Sequence, residues 1–320
     1  MKKIVSFVLV ICLALTSLVL ISCKKEKTLD DFYAEMLETE SFRMEMSMTV
    51  MGQTMKETLM VDGGVSRTLE SEMSNESYLV EGENGVEEYV KDVFGKWIKS
   101  NYTPFEDDLD GVFEKEMESL FKSENYNVEK NVYTQRDDVE FESFKDVKIT
   151  VEEDRCDVLM TMMQSGMELV VKLEISKVGE IDLKLPKEYI TVDIPDNNIA
   201  ASNALSRNQY SVQRLTTKTP INSVLNNFGA SGADAYAIIV ASKGEQSVIL
   251  IYCSGEESAE TVYDAVLELY NSSYREVVDT YGKDSEEYNK LYELSKDEII
   301  GRDGNIVCMA SSLECLNNAK

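Results

Sequence analysis

Apolar residues follow different patterns in different parts of the chain. Residues 4–21 form an almost unbroken apolar run that follows two lysines. Residues 29–39 space their apolar side chains at helical intervals, which predicts a first helix. Apolar and polar residues alternate from 42 to 50 and again from 167 to 175. Such alternation is typical of a strand with one buried and one wet face.

Further half-apolar segments, separated by glycine-containing turns, predict an antiparallel meander. The predicted strands cover residues 42–50, 55–62, 65–73, 77–81, 86–93, 127–134, 139–151, 156–163, 167–175 and 189–194. Pro104 suits the start of a helix from Phe105 to Lys122 between the two groups of strands. We therefore expect residues 29–195 to form one domain that is mainly antiparallel β.

The last third of the chain changes to helices set between hairpins. Residues 196–218 begin with small and polar side chains and are the best candidate for a linker. Apolar strands are predicted at 235–241 and 247–254, and a last hairpin turns at Asp303-Gly304. The segments between them show helical periodicity. Residues 219–320 therefore predict a small α+β domain.

Charge and composition exclude several functions. The formal net charge is −27, and loss of Lys2 and Lys3 with an export signal would make it −29. A chain this acidic is repelled by phosphate backbones, so we expect no nucleic-acid partner. The sequence has no histidine, which removes the commonest general base and the commonest zinc ligand. We predict no metal, no cofactor and no enzymatic activity.

The cysteines leave two alternatives open. Cys156, Cys253, Cys308 and Cys315 have no close C-x-x-C spacing. Cys253 and Cys308 lie in apolar segments, where a cysteine acts as a small hydrophobic residue. An exported protein could instead pair them as disulfides. The sequence does not decide their oxidation state.

The end of the apolar run carries a specific motif. Leu20-Ile21-Ser22-Cys23 resembles the lipobox of bacterial lipoproteins. The resemblance implies that residues 1–22 are a lipoprotein signal peptide, that Cys23 carries a diacylglyceryl group, and that residues 23–28 form a tether. Two acyl chains give stable anchoring at the outer face of the cell membrane. The alternative is an uncleaved transmembrane helix, because about 18 apolar residues can just span a bilayer.

The order of the predicted elements also carries a resemblance. A lipobox, a leading helix, a long meander, an inserted helix and more strands make residues 29–195 similar to the LolA- and LppX-type lipoproteins. That resemblance implies a curved half-barrel with helices, whose concave face can hold acyl chains. Methionine suits varied apolar ligands because it is flexible and polarizable. The candidate ligand-binding residues on this face are Met44, Met46, Met48, Met55, Met167, Leu169 and Val171. The alternative is that the same residues form an ordinary filled core.

The C-terminal segment is similar to a small uncharacterised domain of clostridial lipoproteins, over about residues 232–312. The resemblance implies a Gram-positive, cell-surface setting and assigns no activity. We therefore expect a membrane-anchored, non-enzymatic lipoprotein that binds or presents a lipid-like ligand. The alternative function is an envelope protein-interaction or stress-response module without a small-molecule ligand.

Overall fold

The computed structural model describes residues 27–50, 53–70, 75–82, 85–102, 118–164 and 167–320. Cys23, the signal-like segment and most of the helix predicted over 105–122 lie outside the described residues. The chain forms two compact units. Unit 1 contains residues 1–63 and 108–183, and unit 2 contains residues 64–107 and 184–320. The predicted fold class, mainly antiparallel β with helices plus a small α+β part, is confirmed, and the sheets are open.

Unit 1 is an antiparallel sheet with a helix at its start. Its elements, numbered along the whole chain, are α1 (Leu29–Thr39), β1 (Ser41–Val50), β2 (Gln53–Asp62), β7 (Tyr126–Glu129), β8 (Val132–Gln135), β9 (Phe144–Val151), β10 (Arg155–Gln164) and β11 (Met167–Ser176). The strands are ordered β2–β1–β11–β10–β9–β8–β7, and each neighbouring pair is antiparallel.

Helix α1 begins and ends at defined sequence signals. Thr28 caps it, since the Thr28 hydroxyl accepts from the backbone N–H of Asp31 while the Asp31 carboxylate accepts from the N–H of Thr28. Glu40 ends the helix in the left-handed conformation, at φ 46°. The helix buries Leu29, Phe32 and Met36. These side chains pack on the apolar face of the sheet and form the core of unit 1 with it.

Unit 2 combines a four-stranded meander with a second, helix-covered sheet. Its elements are β3 (Val65–Glu70), β4 (Asn75–Gly82), β5 (Gly85–Lys91), β6 (Trp97–Tyr102), β12 (Ile190–Thr191), α2 (Asn198–Arg207), β13 (Ser211–Leu215), α3 (Lys218–Asn227), β14 (Ala235–Lys243), β15 (Gln246–Cys253), α4 (Glu256–Tyr281), α5 (Glu286–Ser295), β16 (Ile299–Asp303), β17 (Ile306–Ala310) and α6 (Leu313–Asn317). Strands β3 to β6 pair in order, and β6 also pairs in parallel with β12 and β16. The order then continues as β16–β17–β15–β14–β13, with antiparallel pairs throughout.

The structure divides the chain differently from the predicted domains at 29–195 and 219–320. Strands β3 to β6 belong to the same unit as the C-terminal segment. The predicted linker, 196–218, is instead α2 and β13. Asn197 caps α2, and the helix buries Ala201 and Leu205 in a core of unit 2. Its small side chains therefore allow close packing rather than mark a flexible connection.

The length and composition of the helices also bear on membrane insertion. Across the described ranges, none of the helices is both long enough and apolar enough to cross a bilayer.

Candidate functional site

The sheet of unit 1 gathers most of the predicted ligand-binding residues on one face. In β1, Met44, Met46 and Met48 alternate with polar residues and therefore share a face. Met48 lies opposite Met55 of β2 and opposite Val171 of β11. Residues directly opposite in an antiparallel pair point to the same side, so the registers join the three strands into one apolar surface.

Part of this surface is a filled core. Leu169 is 3% exposed and Val171 is fully buried. The core cluster that contains Val171 also contains Phe32 of α1 and Phe121, which precedes β7. At Leu169 and Val171 the alternative of ordinary core packing therefore describes the structure better than a ligand surface.

The other part of the surface stays partly open. Met44, Met46 and Met48 are half-buried and pack at the margin of the core cluster. Met55 is 43% exposed. Met167 begins β11, but its side chain lies outside the described part of the structure. The apolar surface is thus buried where α1 packs on it and partly exposed along β1 and β2. We call Met44, Met46, Met48 and Met55 the methionine edge.

A second candidate site, absent from the sequence predictions, lies in unit 2. A pocket of about 210 Å³ is formed by β3, β4 and β5 together with α4. Most of its lining residues are polar, and they include Glu88 of β5 and Tyr263 of α4. Glu88 Oε2 lies 3.5 Å from the Arg302 guanidinium nitrogen Nη2. The Arg302 guanidinium carbon lies 5.6 Å from the centre of the Tyr263 ring. An ion pair and a tyrosine are therefore clustered beside the pocket.

Burial dominates the electrostatics of this cluster. Desolvation raises the pKa of Glu88, and the attraction of Arg302 only partly opposes it. Desolvation, followed by the nearby Glu88 carboxylate, raises the pKa of Tyr263 well above its usual value. Tyr263 is 2% exposed. Neither Tyr263 Oη nor Glu88 Oε2 has a hydrogen-bond partner among the described residues. Buried polar atoms are normally satisfied, so these two oxygens require an explanation.

One sequence signal could have located this cluster. Val86, Glu88 and Val90 share a face in the alternation of β5, so Glu88 occupies an apolar position. Ile300 and Arg302 repeat the same pattern in β16. A charged residue at a position that the pattern assigns to the core marks either an error in register or a buried polar group.

A second cavity of unit 2 is more apolar. It has a volume of about 260 Å³ and lies against α4, β15, β16 and β17. Phe228, Ile249, Val266 and Met309 line it, together with Glu298. Desolvation raises the pKa of Glu298, and the nearby Lys96 partly opposes this shift. This cavity can admit a small apolar group, with one carboxyl group at its margin.

The four cysteines of the described ranges are free thiols. Burial raises the pKa of Cys156, Cys253 and Cys308 to about 12. Cys315 differs. Burial raises its pKa, but hydrogen bonds from Ser311 and Ser312 outweigh burial and lower the pKa overall. Within the described ranges, no cluster of three or more His, Cys, Asp or Glu side chains could hold a metal ion.

Comparisons with known proteins add little to this geometry. No protein-family model and no curated protein matches the chain. Among solved structures, the crystal structure of MucB in complex with MucA(peri) is similar over 71% of this chain and 80% of that chain. The identity is 11% and the TM-score is 0.20. A likeness at this level supports neither a fold assignment nor a function, so both depend on the residues described above.

Proposed function

We propose that this chain is an exported, lipid-anchored protein that binds the apolar part of a lipid-like ligand on unit 1 and has no enzymatic activity. Cys23 ends the lipobox-like motif Leu20-Ile21-Ser22-Cys23. It is therefore the proposed anchor to the outer face of the cell membrane. The observation that carries the binding proposal is the methionine edge. Three half-buried methionines of β1 continue the core face beside Met55, which is 43% exposed.

The methionine edge leaves part of its apolar surface uncovered. Full burial of a methionine side chain contributes about 1.5–3 kcal/mol. Met55 is 43% exposed and the other three are less exposed, so covering what remains exposed on all four contributes on the order of 2–4 kcal/mol. Association costs at least about 4 kcal/mol. A small ligand would therefore bind weakly, whereas each buried methylene of an acyl chain adds about 0.8 kcal/mol. The edge thus favours a long apolar chain over a compact molecule.

Native mass spectrometry tests this proposal on the chain from Lys24 to Lys320, which keeps every described residue. The chain is purified from a bacterial lysate and then incubated with phospholipid or fatty acid. The informative variant is Met46→Glu, because Met46 is half-buried at the edge. The matched control is Leu159→Glu, on the opposite face of the same sheet, where the side chain is 45% exposed. Leu169 is unsuitable for this test because its burial would make a charged variant unfold.

The expected result is a bound mass of lipid size that is lost in Met46→Glu and retained in Leu159→Glu. A clean ligand-free mass in every incubation would refute the binding proposal. Equal loss of the bound mass in both variants would also refute it, because the two substitutions add the same charge on opposite faces.

A protein partner is the second candidate function. The helices of unit 2 expose large apolar side chains, with Leu294 70% exposed and Tyr281 56% exposed. Isolated exposed apolar residues are common, but several on adjacent helices favour a contact surface. A photo-crosslinking amino acid at Leu294 should yield a covalent adduct of defined mass in cells. The same probe at the exposed Glu287 is the control. Identical products at both positions would argue against a specific partner.

A further inference from the structure

We propose that the 210 Å³ pocket formed by β3, β4, β5 and α4 binds a primary alkylammonium ion, such as a short diamine. This proposal is independent of the lipid-binding proposal, because it concerns unit 2 and a ligand of different chemistry.

The pocket is lined by four acidic side chains, Glu76, Glu88, Asp92 and Asp264, with Lys91 as its single basic side chain. Cations around the pocket already pair with several of them. Glu76 is held by Lys91 at 2.9 Å and by Arg67 at 2.5 Å, Asp92 lies 3.1 Å from Lys96, and Glu88 faces Arg302 at 3.5 Å. The preference for a cation over an anion therefore comes from the net charge of −27 of the whole chain, whose field attracts cations to such a site.

Two oxygens of the pocket lining lack hydrogen-bond partners. Tyr263 is 2% exposed, and its hydroxyl has no hydrogen-bond partner among the described residues. Glu88 Oε2 accepts no hydrogen bond there either, although it lies 3.5 Å from Arg302 Nη2. An ammonium group carries three N–H donors and no acceptor. It can therefore donate to the Tyr263 hydroxyl and keep further donors for other lining groups. Hydrogen bonds that involve a charged donor are stronger than neutral ones.

The size and shape of the pocket also suit such a ligand. The pocket is about 210 Å³, whereas about 10–15 Å³ of the same kind of volume holds one water. A single water would leave most of this space unfilled. Val90 and Leu267 contribute aliphatic surface to the lining, against which methylene groups can pack. A chain of about four carbons with a terminal ammonium therefore fits both the volume and the mixed polarity.

Isothermal titration calorimetry tests the proposal on the chain from Lys24 to Lys320. The probe is 1,4-diaminobutane, and 1-butanol and butyrate are the ligand controls. The informative variant is Tyr263→Phe, which removes a hydroxyl that makes no hydrogen bond within the described structure. This change should leave the thermal midpoint unchanged or raise it. The matched control is Tyr252→Phe. Tyr252 lies in the same unit, outside the pocket lining, and its hydroxyl donates to the Pro195 carbonyl at 3.0 Å.

We expect the diamine to bind at one saturable site, while the alcohol and the carboxylate show no saturable heat. Tyr263→Phe should weaken diamine binding about tenfold without loss of thermal stability. Tyr252→Phe should lower the thermal midpoint and leave diamine affinity unchanged. The proposal is overturned if the diamine gives no saturable heat. It is equally overturned if 1-butanol binds as tightly as the diamine, or if Tyr263→Phe leaves diamine affinity unchanged.

Discussion

Among the glycines of unit 2 whose surroundings the structure describes, Gly301 leaves the least room for an added methyl group. A Cβ atom built on Gly301 of β16 would lie 2.5 Å from Val192 Cγ2 and 3.3 Å from Ile98 Cγ2. Carbon atoms in contact prefer about 3.5–4.0 Å. Val192 and Ile98 are 1% and 3% exposed, so neither side chain can move away into solvent. We therefore predict that Gly301→Ala destabilises unit 2 through crowding.

The magnitude follows from two opposing effects. Overpacking a well-filled core costs about 1–3 kcal/mol, and the 2.5 Å approach places Gly301→Ala near the upper end. Replacing glycine also restricts the unfolded chain, which offsets about 0.4–1 kcal/mol. The net loss should be about 2 kcal/mol. For a unit of this size, such a loss lowers the thermal midpoint by about 4–8 °C.

Urea unfolding followed by Trp97 fluorescence measures this effect, because Trp97 is the one tryptophan of the sequence and lies in unit 2. Gly64→Ala is the control, since its Cβ would meet only Glu81 Cβ at an ordinary 3.7 Å. Val192→Ala should rescue part of the Gly301→Ala loss by removing the crowded methyl group. The loss of unfolding free energy in the double variant should then be smaller than the sum of the two single losses by at least about 1 kcal/mol. Strict additivity, or an unchanged Gly301→Ala midpoint, would refute the crowding argument.

Three further predictions concern other parts of the chain. Cys23→Ala should abolish incorporation of labelled palmitate in a Gram-positive host and release the protein from the membrane fraction; continued labelling would exclude Cys23 as the acylated residue. Cys156, Cys253 and Cys308, whose buried thiols have a pKa of about 12, should resist alkylation at about pH 8 in the native chain and react fully in urea, as intact-mass measurement would show. The pKa of Glu298 is raised above 4.5 by burial, so the folded state binds this proton more tightly than the unfolded state does. Its contribution to stability should therefore be complete below about pH 4.5 and should be lost as the pH rises through the raised pKa. Urea unfolding followed by Trp97 fluorescence should show that the free energy of unfolding falls less over this pH range in Glu298→Gln than in the unmodified chain. If the free energy of unfolding depends on pH identically in both, the stabilising role of the Glu298 proton is contradicted.

The elements that could be predicted are those whose signals are local. The boundaries of α1 agree with the prediction from Leu29 to Thr39, because the helical apolar stripe that predicts the helix is contained in the segment. The alternation in β1 and β11 likewise identified the face that carries Met44, Met46 and Met48. The alternation does not indicate how deeply each side chain is buried. It marks Val171 and Met48 alike as apolar-face residues, although only Val171 is fully buried.

The division into units could not be predicted in the same way. An alternating strand states which of its faces is apolar, but not which sheet it joins. Strands β3 to β6 follow β2 without a change in composition, yet they belong to the unit that contains β12 to β17. The structure of residues 196–218, a helix and a strand, differs from their prediction as a linker for a related reason. Ala201 and Ala204 suit a linker by composition, and they equally suit a helix that packs closely on a sheet.

The positions where unit 2 departs from its own sequence pattern meet at one place. Glu88 and Arg302 are charged residues at positions that the alternation assigns to a buried face, and their side chains approach to 3.5 Å. A buried ion pair is a poor source of stability, because apolar residues of similar volume are often as stabilising or more so. Stability alone therefore does not account for a glutamate, an arginine and an unsatisfied tyrosine hydroxyl beside a 210 Å³ pocket. Departures from local consistency concentrate at functional sites, so this pocket merits the first binding experiment on unit 2.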